Sequence, residues 1–457
     1  MLNRQGLDLL LNFTKEDSDP LIIYCAVATQ RLIYTSEFIF NTVLKVPYKI
    51  SSNQKEFEAS SHFKINYSKE CFDGIVQVIP CGLLSETGIT EIKPAPFFKD
   101  DLIYFYKTSA EPGGFLFHFD IFSAVFYFIS RYEEWQRFEK DLHGRFEAAS
   151  SLLFQHKQHL KPALDLWIRE FAQFLKAANT GLDFPPKQFQ VISTIDVDNL
   201  FAYKNKGLLR TAGAAVKDLL KIDLKNLKAR LSVISGRSAD PFDIYENVSG
   251  FYSGLQVPMI WFFLFRSGTR YDRSVDPRSG AFKNVFKILK GEKALIGLHP
   301  SYHSVNEKNR LGSEAAAISA VLGEPVHLSR QHYLRFDIRT TPDLLIENGI
   351  EMDASMGFAS SPGFRAGTSH PFYYFDFSKE KKTGLLFLPF CTMDGAYFVY
   401  SKTSPDETLV SMLSLAKEVK KAGGFFISVF HERTFYNHLY PGFGTLYKNL
   451  HRRLKEL

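Results

Sequence analysis

The chain is short of several things, and each shortage closes off a class of protein. Its 457 residues hold only four cysteines, Cys25, Cys71, Cys81 and Cys391, and no CxxC pair. So few thiols fit a reducing compartment and argue against a structural zinc cluster. The longest clean apolar run, Val257 to Phe265, is far too short to span a bilayer as a helix. The opening segment, MLNRQGLDLLLNFTKEDSDP, lacks a signal-peptide apolar core and a small-residue cleavage site. The expected location is therefore cytoplasmic, at most peripheral to the inner membrane. Neither charge dominates: a net +6 is modest for this length and leaves no nucleic-acid footprint. Internal repeats, low-complexity tracts and an HExxH motif are also missing.

What is present is ordinary globular material, 45% hydrophobic and 23% charged, long enough for two domains. Its 44 Phe and 21 Tyr suit deep apolar cores and sugar-stacking walls alike. From Leu21 to about Lys107, strand-like runs (LIIYCAV, FKINY, GIVQVIP, DLIYFY) alternate with polar loops, predicting a small mixed or β-rich N-terminal domain over 1–118. Two stretches with helical apolar spacing follow, predicting a helical connector over 119–184. From 185 to 457 the runs QFQVISTID, VPMIWFFLF, ALIGLH, EPVHLS, GLLFLPF and FFISVF are continuous rather than alternating. That pattern predicts strands buried on both faces, hence an α/β fold with a parallel sheet or barrel.

The chemistry-bearing residues follow those runs. Asp196 and Asp198 in TIDVD are i and i+2, so an extended strand turns both to one side. Two carboxylates so placed repel unless a cation or proton intervenes, and a bound metal would let one be a ligand and the other a base. His299 and His303 in GLHPSYHS are i and i+4, and Pro300 suits the first turn of a helix, predicting two imidazoles on one helical face. Two histidines and an aspartate make a metal site with open positions for water and substrate, with zinc the default and iron or another divalent ion served by the same donors. With no HExxH glutamate, Asp196 is the candidate base. His431 in ISVFHE ends a further strand-like run.

At these residues the chain resembles the polysaccharide deacetylases, the carbohydrate esterases of family four, whose catalytic domain is a distorted parallel (β/α) barrel. The resemblance covers about Pro185 to Leu457. It implies Asp196 as base, Asp198, His299 and His303 as metal ligands, Arg330 of SRQHYLRF as the arginine that holds the base, and His431 as general acid. Asp353 in ENGIEMDASMGF corresponds, less closely, to the later aspartate of that set. Tyr302, Asp353 and Arg365 are the expected substrate contacts, the last in GFRAGTSHPF, a segment with His370 that matches no general motif of the family. Two departures stand out: TIDVD has a residue between its aspartates where many members have none, and His332 stands where a proline is common. The N-terminal half resembles the poorly characterised domain preceding some bacterial deacetylase-like domains.

The implied activity is metal-dependent removal of an N-acetyl or similar acyl group from an amino sugar in a polysaccharide or glycolipid precursor. Rivals are a glycosyltransferase using DxD for a nucleotide sugar, a non-haem iron oxygenase with a two-histidine, one-carboxylate triad, and an inactive carbohydrate-binding protein. One segment falls outside this set. Between Phe201 and Arg237 lie nine Lys or Arg and two Asp, and Val216, Leu220, Leu224, Leu227 and Leu231 mark one apolar helical stripe flanked by lysines. It predicts either an insertion helix with a solvated basic face or a peripheral contact with anionic membrane.

Overall fold

The computed structural model describes residues 21–108, 115–266, 269–307 and 309–457. The opening segment, residues 1–20, over which no export signal is expected, lies outside them. Among the described residues, no helix is long and apolar enough to cross a membrane.

The N-terminal part mixes strands and helices. Strands β1 (Leu21–Tyr24), β2 (Tyr48–Ser51), β3 (Lys64–Asn66) and β4 (Val76–Gln77) form a wholly parallel sheet in the order β2-β1-β3-β4. Parallel neighbours need crossovers, and one is the helical stretch from Gln30 to Leu44. Strands β5 (Pro96–Lys99) and β6 (Leu102–Phe105) make a separate antiparallel hairpin. The expected connector helices are Ile121–Ile129, buried on every side, and Ala163–Ala178, which buries one face.

The remaining strands make one nine-stranded sheet: β7 (Phe189–Val197), β8 (Met259–Phe263), β9 (Leu295–Leu298), β10 (Leu328–Ser329), β11 (Met352–Asp353), β12 (Phe372–Asp376), β13 (Lys381–Phe387), β14 (Thr392–Met393) and β15 (Gly424–His431). Their order is β12-β13-β11-β10-β9-β8-β7-β15-β14, parallel throughout except for the edge strand β12. Connectivity forces this sheet to curl. Phe387 and Thr392 are five peptide steps apart, at most about 19 Å, yet β13 is second and β14 ninth in the order. Seven strand spacings in a flat sheet would separate them by about 34 Å. The expected barrel is thus a curled sheet whose edges, among the described residues, do not pair.

Curling gives the strands an inside and an outside. Ile192, Ile260, Phe262, Met352, Leu386, Phe425, Ile427 and Val429 form a buried cluster within the curve, while their neighbours Ile195, Val197, Trp261, Phe263, Phe426 and Phe430 belong to the larger core under the helices. The inner space is tight. A Cβ on Gly297 would lie 2.6 Å from the Phe262 ring and 3.0 Å from the Leu328 carbonyl, so β9 admits only glycine there. By the same two-residue alternation, Asp196 and His431 face inward at the carboxyl ends of β7 and β15, where they are register partners.

Candidate metal centre

Three side chains from the ends of three strands of this sheet converge. Asp198 lies one residue beyond β7, His299 directly follows β9, and His332 lies three residues beyond β10. One donor atom from each lies within 4.8 Å of the others. His299 Nε2 is 3.5 Å and His332 Nε2 3.4 Å from Asp198 Oδ1.

Both imidazoles are oriented from behind. His299 Nδ1 lies 2.5 Å from the Arg330 carbonyl and His332 Nδ1 3.0 Å from Asp272 Oδ1. A carbonyl only accepts, and Asp272 is held ionised, so each Nδ1 carries a proton and each Nε2 points inward. Burial opposes the Asp272 charge, but bonds from His332, the Tyr302 amide and Thr269 hold it at about 2. Burial also pushes His332 below its ordinary value, favouring neutral imidazole. Asp198 Oδ1 is buried with no hydrogen-bond partner. An orphaned carboxylate oxygen facing two bare ring nitrogens is a donor set suited to a divalent cation.

Asp198 also has a second neighbour. Its Oδ2 accepts from the Arg433 guanidinium. Burial would raise its pKa, but the groups around it, the Arg433 guanidinium foremost, outweigh burial and hold the carboxyl well below its usual range. Glu432 Oε2 and Oε1 accept the Asp198 and Asn199 amides at 3.0 and 3.1 Å, fixing the turn that follows β7. Burial first, then the Asp198 charge, push Glu432 up to about 7.

Two further arrangements flank the triad. Arg330 Nη1 reaches across the curved interior to Asp196 Oδ1 at 2.8 Å and Thr194 Oγ1 at 2.7 Å, while its Nε donates to the Ala354 carbonyl. The guanidinium sits over Phe262, 4.5 Å from the ring centre. On the other side, His431 Nδ1 donates to Asp394 Oδ1 at 2.7 Å, and the His431 amide to Oδ2 at 2.8 Å. Burial works against the imidazolium, but Asp394 outweighs it and lifts His431 to about 9.

Several expected site residues lie elsewhere. His303 is not in the converging group: after Pro300 the chain forms turns rather than a helix, so the i, i+4 spacing does not align the rings, and His303 packs against Tyr302. His332 occupies the third position. Tyr302 is buried, stacked on Tyr271 at 3.8 Å, with its hydroxyl 2.9 Å from His143 Nδ1. Asp353 is fully buried and accepts from Ser329 Oγ and the Ser355 amide, tying two strand ends together. Arg365 makes a buried two-pronged pair with Glu134, at 2.8 and 2.6 Å, and Thr368 and Ser369 bond to Asp165. The GFRAGTSHPF segment therefore docks the connector onto the sheet.

Sequence reasoning missed Asp272, Asp394 and Arg433, and met His332 only as a departure. The signal for His332 was available: Arg330 and His332 are i and i+2 after a strand, the same spacing as Asp196 and Asp198.

Residues 21–180 match a family of unknown function (DUF7033). No curated protein matches the chain. Among solved structures it is similar to a Mycobacterium smegmatis protein assigned as a polysaccharide deacetylase, 14% identical with a TM-score of 0.39 over 60% of this chain and 87% of that one. It is similar also to an allantoinase, 12% identical, TM-score 0.38, over 61% and 90%. A Bacillus anthracis pseudoenzyme of carbohydrate esterase family four is 10% identical, TM-score 0.26, over 59% and 63%. Likenesses this distant leave the chemistry to be read from the side chains.

Proposed function

We propose that the protein is a metal-dependent hydrolase that removes an N-acetyl or similar acyl group from an amino sugar, in the cytoplasmic synthesis of a polysaccharide or glycolipid. The convergence of Asp198, His299 and His332 around an orphaned carboxylate oxygen carries this reading. The sugar is suggested by the resemblance of TIDVD, SRQHYLRF and FFISVFHE to deacetylase motifs.

Asp198, His299 and His332 would hold the cation, zinc by default. A divalent ion there supplies Lewis acidity that acidifies water and polarises an acyl carbonyl. Asp196, kept in place by Arg330, serves as the base that takes the water's proton. His431, kept protonated by Asp394, gives its Nε2 proton to the departing amine. The released products are acetate and the free amine. Tyr333, 39% exposed with its ring centre 4.7 Å from that of His332, offers an aromatic face for the sugar at the mouth.

One observation favours a second reading, an inactive sugar-binding protein: Arg433 already neutralises part of Asp198. Acetate release from N-acetylated amino-sugar oligomers, measured after chelation and again after adding zinc back, separates the two. Release restored by metal supports hydrolysis; sugar binding without any release refutes it.

A further inference from the structure

The loop leaving the site after Asp198 carries two helices, Leu208–Leu220 and Leu224–Ile234, joined by a turn. The single stripe expected over 216–231 is therefore broken, and the first helix is inverted. Its residues turned toward the protein are small or polar: Thr211, Ala214 and Ala215 are half-buried and Asp218 is buried, at i, i+3, i+4 and i+7. Asp218 is fixed there by Arg230 and Asn226. The large apolar residues point outward, Leu208 and Leu209 being 91% and 93% exposed, Leu219 and Leu220 57% and 79%. Ile222, at the tip, is 79% exposed with a left-handed φ of 56°, a conformation costly for a β-branched side chain.

Lys217, Lys221, Lys225 and Lys228 stand exposed on the same hairpin with no side-chain partner among the described residues. Of the hairpin's two acids Asp218 is paired inside and Asp223 caps the second helix, which leaves the four lysines in excess. A face made of leucines and unpaired ammonium groups would meet a second copy of itself as lysine against lysine. An anionic bilayer surface takes both parts, apolar side chains in the acyl boundary and lysines among phosphates. The hairpin is also rooted at the site: Lys206 Nζ donates to Asn199 Oδ1, next to Asp198, and Arg210 donates to the Arg273 carbonyl, next to Asp272.

We propose that this hairpin seats the protein on an anionic phospholipid bilayer, with the candidate metal centre held at the lipid surface. A lipid-linked amino sugar is the substrate form this suits, a point that rests on the hydrolase reading; the docking does not.

Flotation of the full chain with phosphatidylcholine vesicles, and with vesicles also containing phosphatidylglycerol, tests it without any turnover. Binding is expected only with phosphatidylglycerol and should weaken with salt. Each lysine near the surface multiplies partitioning about fivefold, so the K217E/K221E/K225E/K228E variant should bind at least about a hundredfold more weakly. The L208S/L209S/L219S/L220S variant should also lose binding, with circular dichroism confirming that both variants are folded. Absence of binding at low salt, equal binding to both vesicle types, or undiminished binding by the folded lysine variant overturns the proposal. So does a dimer in sedimentation velocity that the serine variant abolishes while vesicles bind neither protein.

Discussion

Replacing Asp394 by asparagine keeps the shape of its site and removes the charge that faces His431. In the native protein that charge overcomes burial and holds the imidazole at about 9. Without it burial and the Arg433 charge face only the weaker pull of Asp198, and the value should fall to or below the ordinary 6.5. At pH 7.5 the protonated fraction would drop from about 97% to under about 10%, so acetate release should fall at least tenfold and recover as the pH is lowered. The stability effect has a definite sign. A raised histidine contributes fully below its unfolded value near 6.5 and loses that contribution as pH rises through about 9. The rise from 6.5 to about 9 bounds it at roughly 3 kcal/mol. Asp394→Asn should therefore cost most in urea unfolding near pH 6 and least near pH 10. A bound cation lowers both activity midpoints together, so the difference between the proteins is what counts. Coincident pH–rate profiles for the two would refute the assignment of His431 as an acid sustained by Asp394.

Other substitutions separate chemistry from architecture. Asp196→Asn should abolish acetate release while metal content, read by elemental analysis, stays at the native level. Arg365→Ala breaks a buried pair and leaves Glu134 with only Arg131; it should destabilise the fold by about 3 kcal/mol in urea titrations without changing metal stoichiometry. Tyr333→Ala should raise KM for sugar substrates more than it lowers kcat, because the ring is placed to bind and not to react.

What the sequence made visible, and what it hid, follows from range. The strands β7, β8, β9, β10, β13 and β15 stand out as continuous apolar runs because the curled sheet buries both their faces. Asp196 and Asp198 were legible because strand alternation is strictly local. His303 misled for the same reason: its spacing from His299 has meaning only on a helix, and the chain turns instead after Pro300. The very short strands β11 and β14, two residues each, leave almost no periodic trace. Long-range partners were out of reach altogether. Nothing near Arg365 points to Glu134, 231 positions away, and nothing near His332 points to Asp272, 60 positions away. Asp394 lies 37 residues before His431 and meets it because β14 pairs with β15.

We propose that His332, not His303, completes the metal centre with Asp198 and His299. Elemental analysis of zinc-loaded, desalted protein tests it directly. One equivalent of metal is expected in the native protein and in His303→Ala, and a large loss in His332→Ala. Full retention by His332→Ala together with loss in His303→Ala would contradict the account.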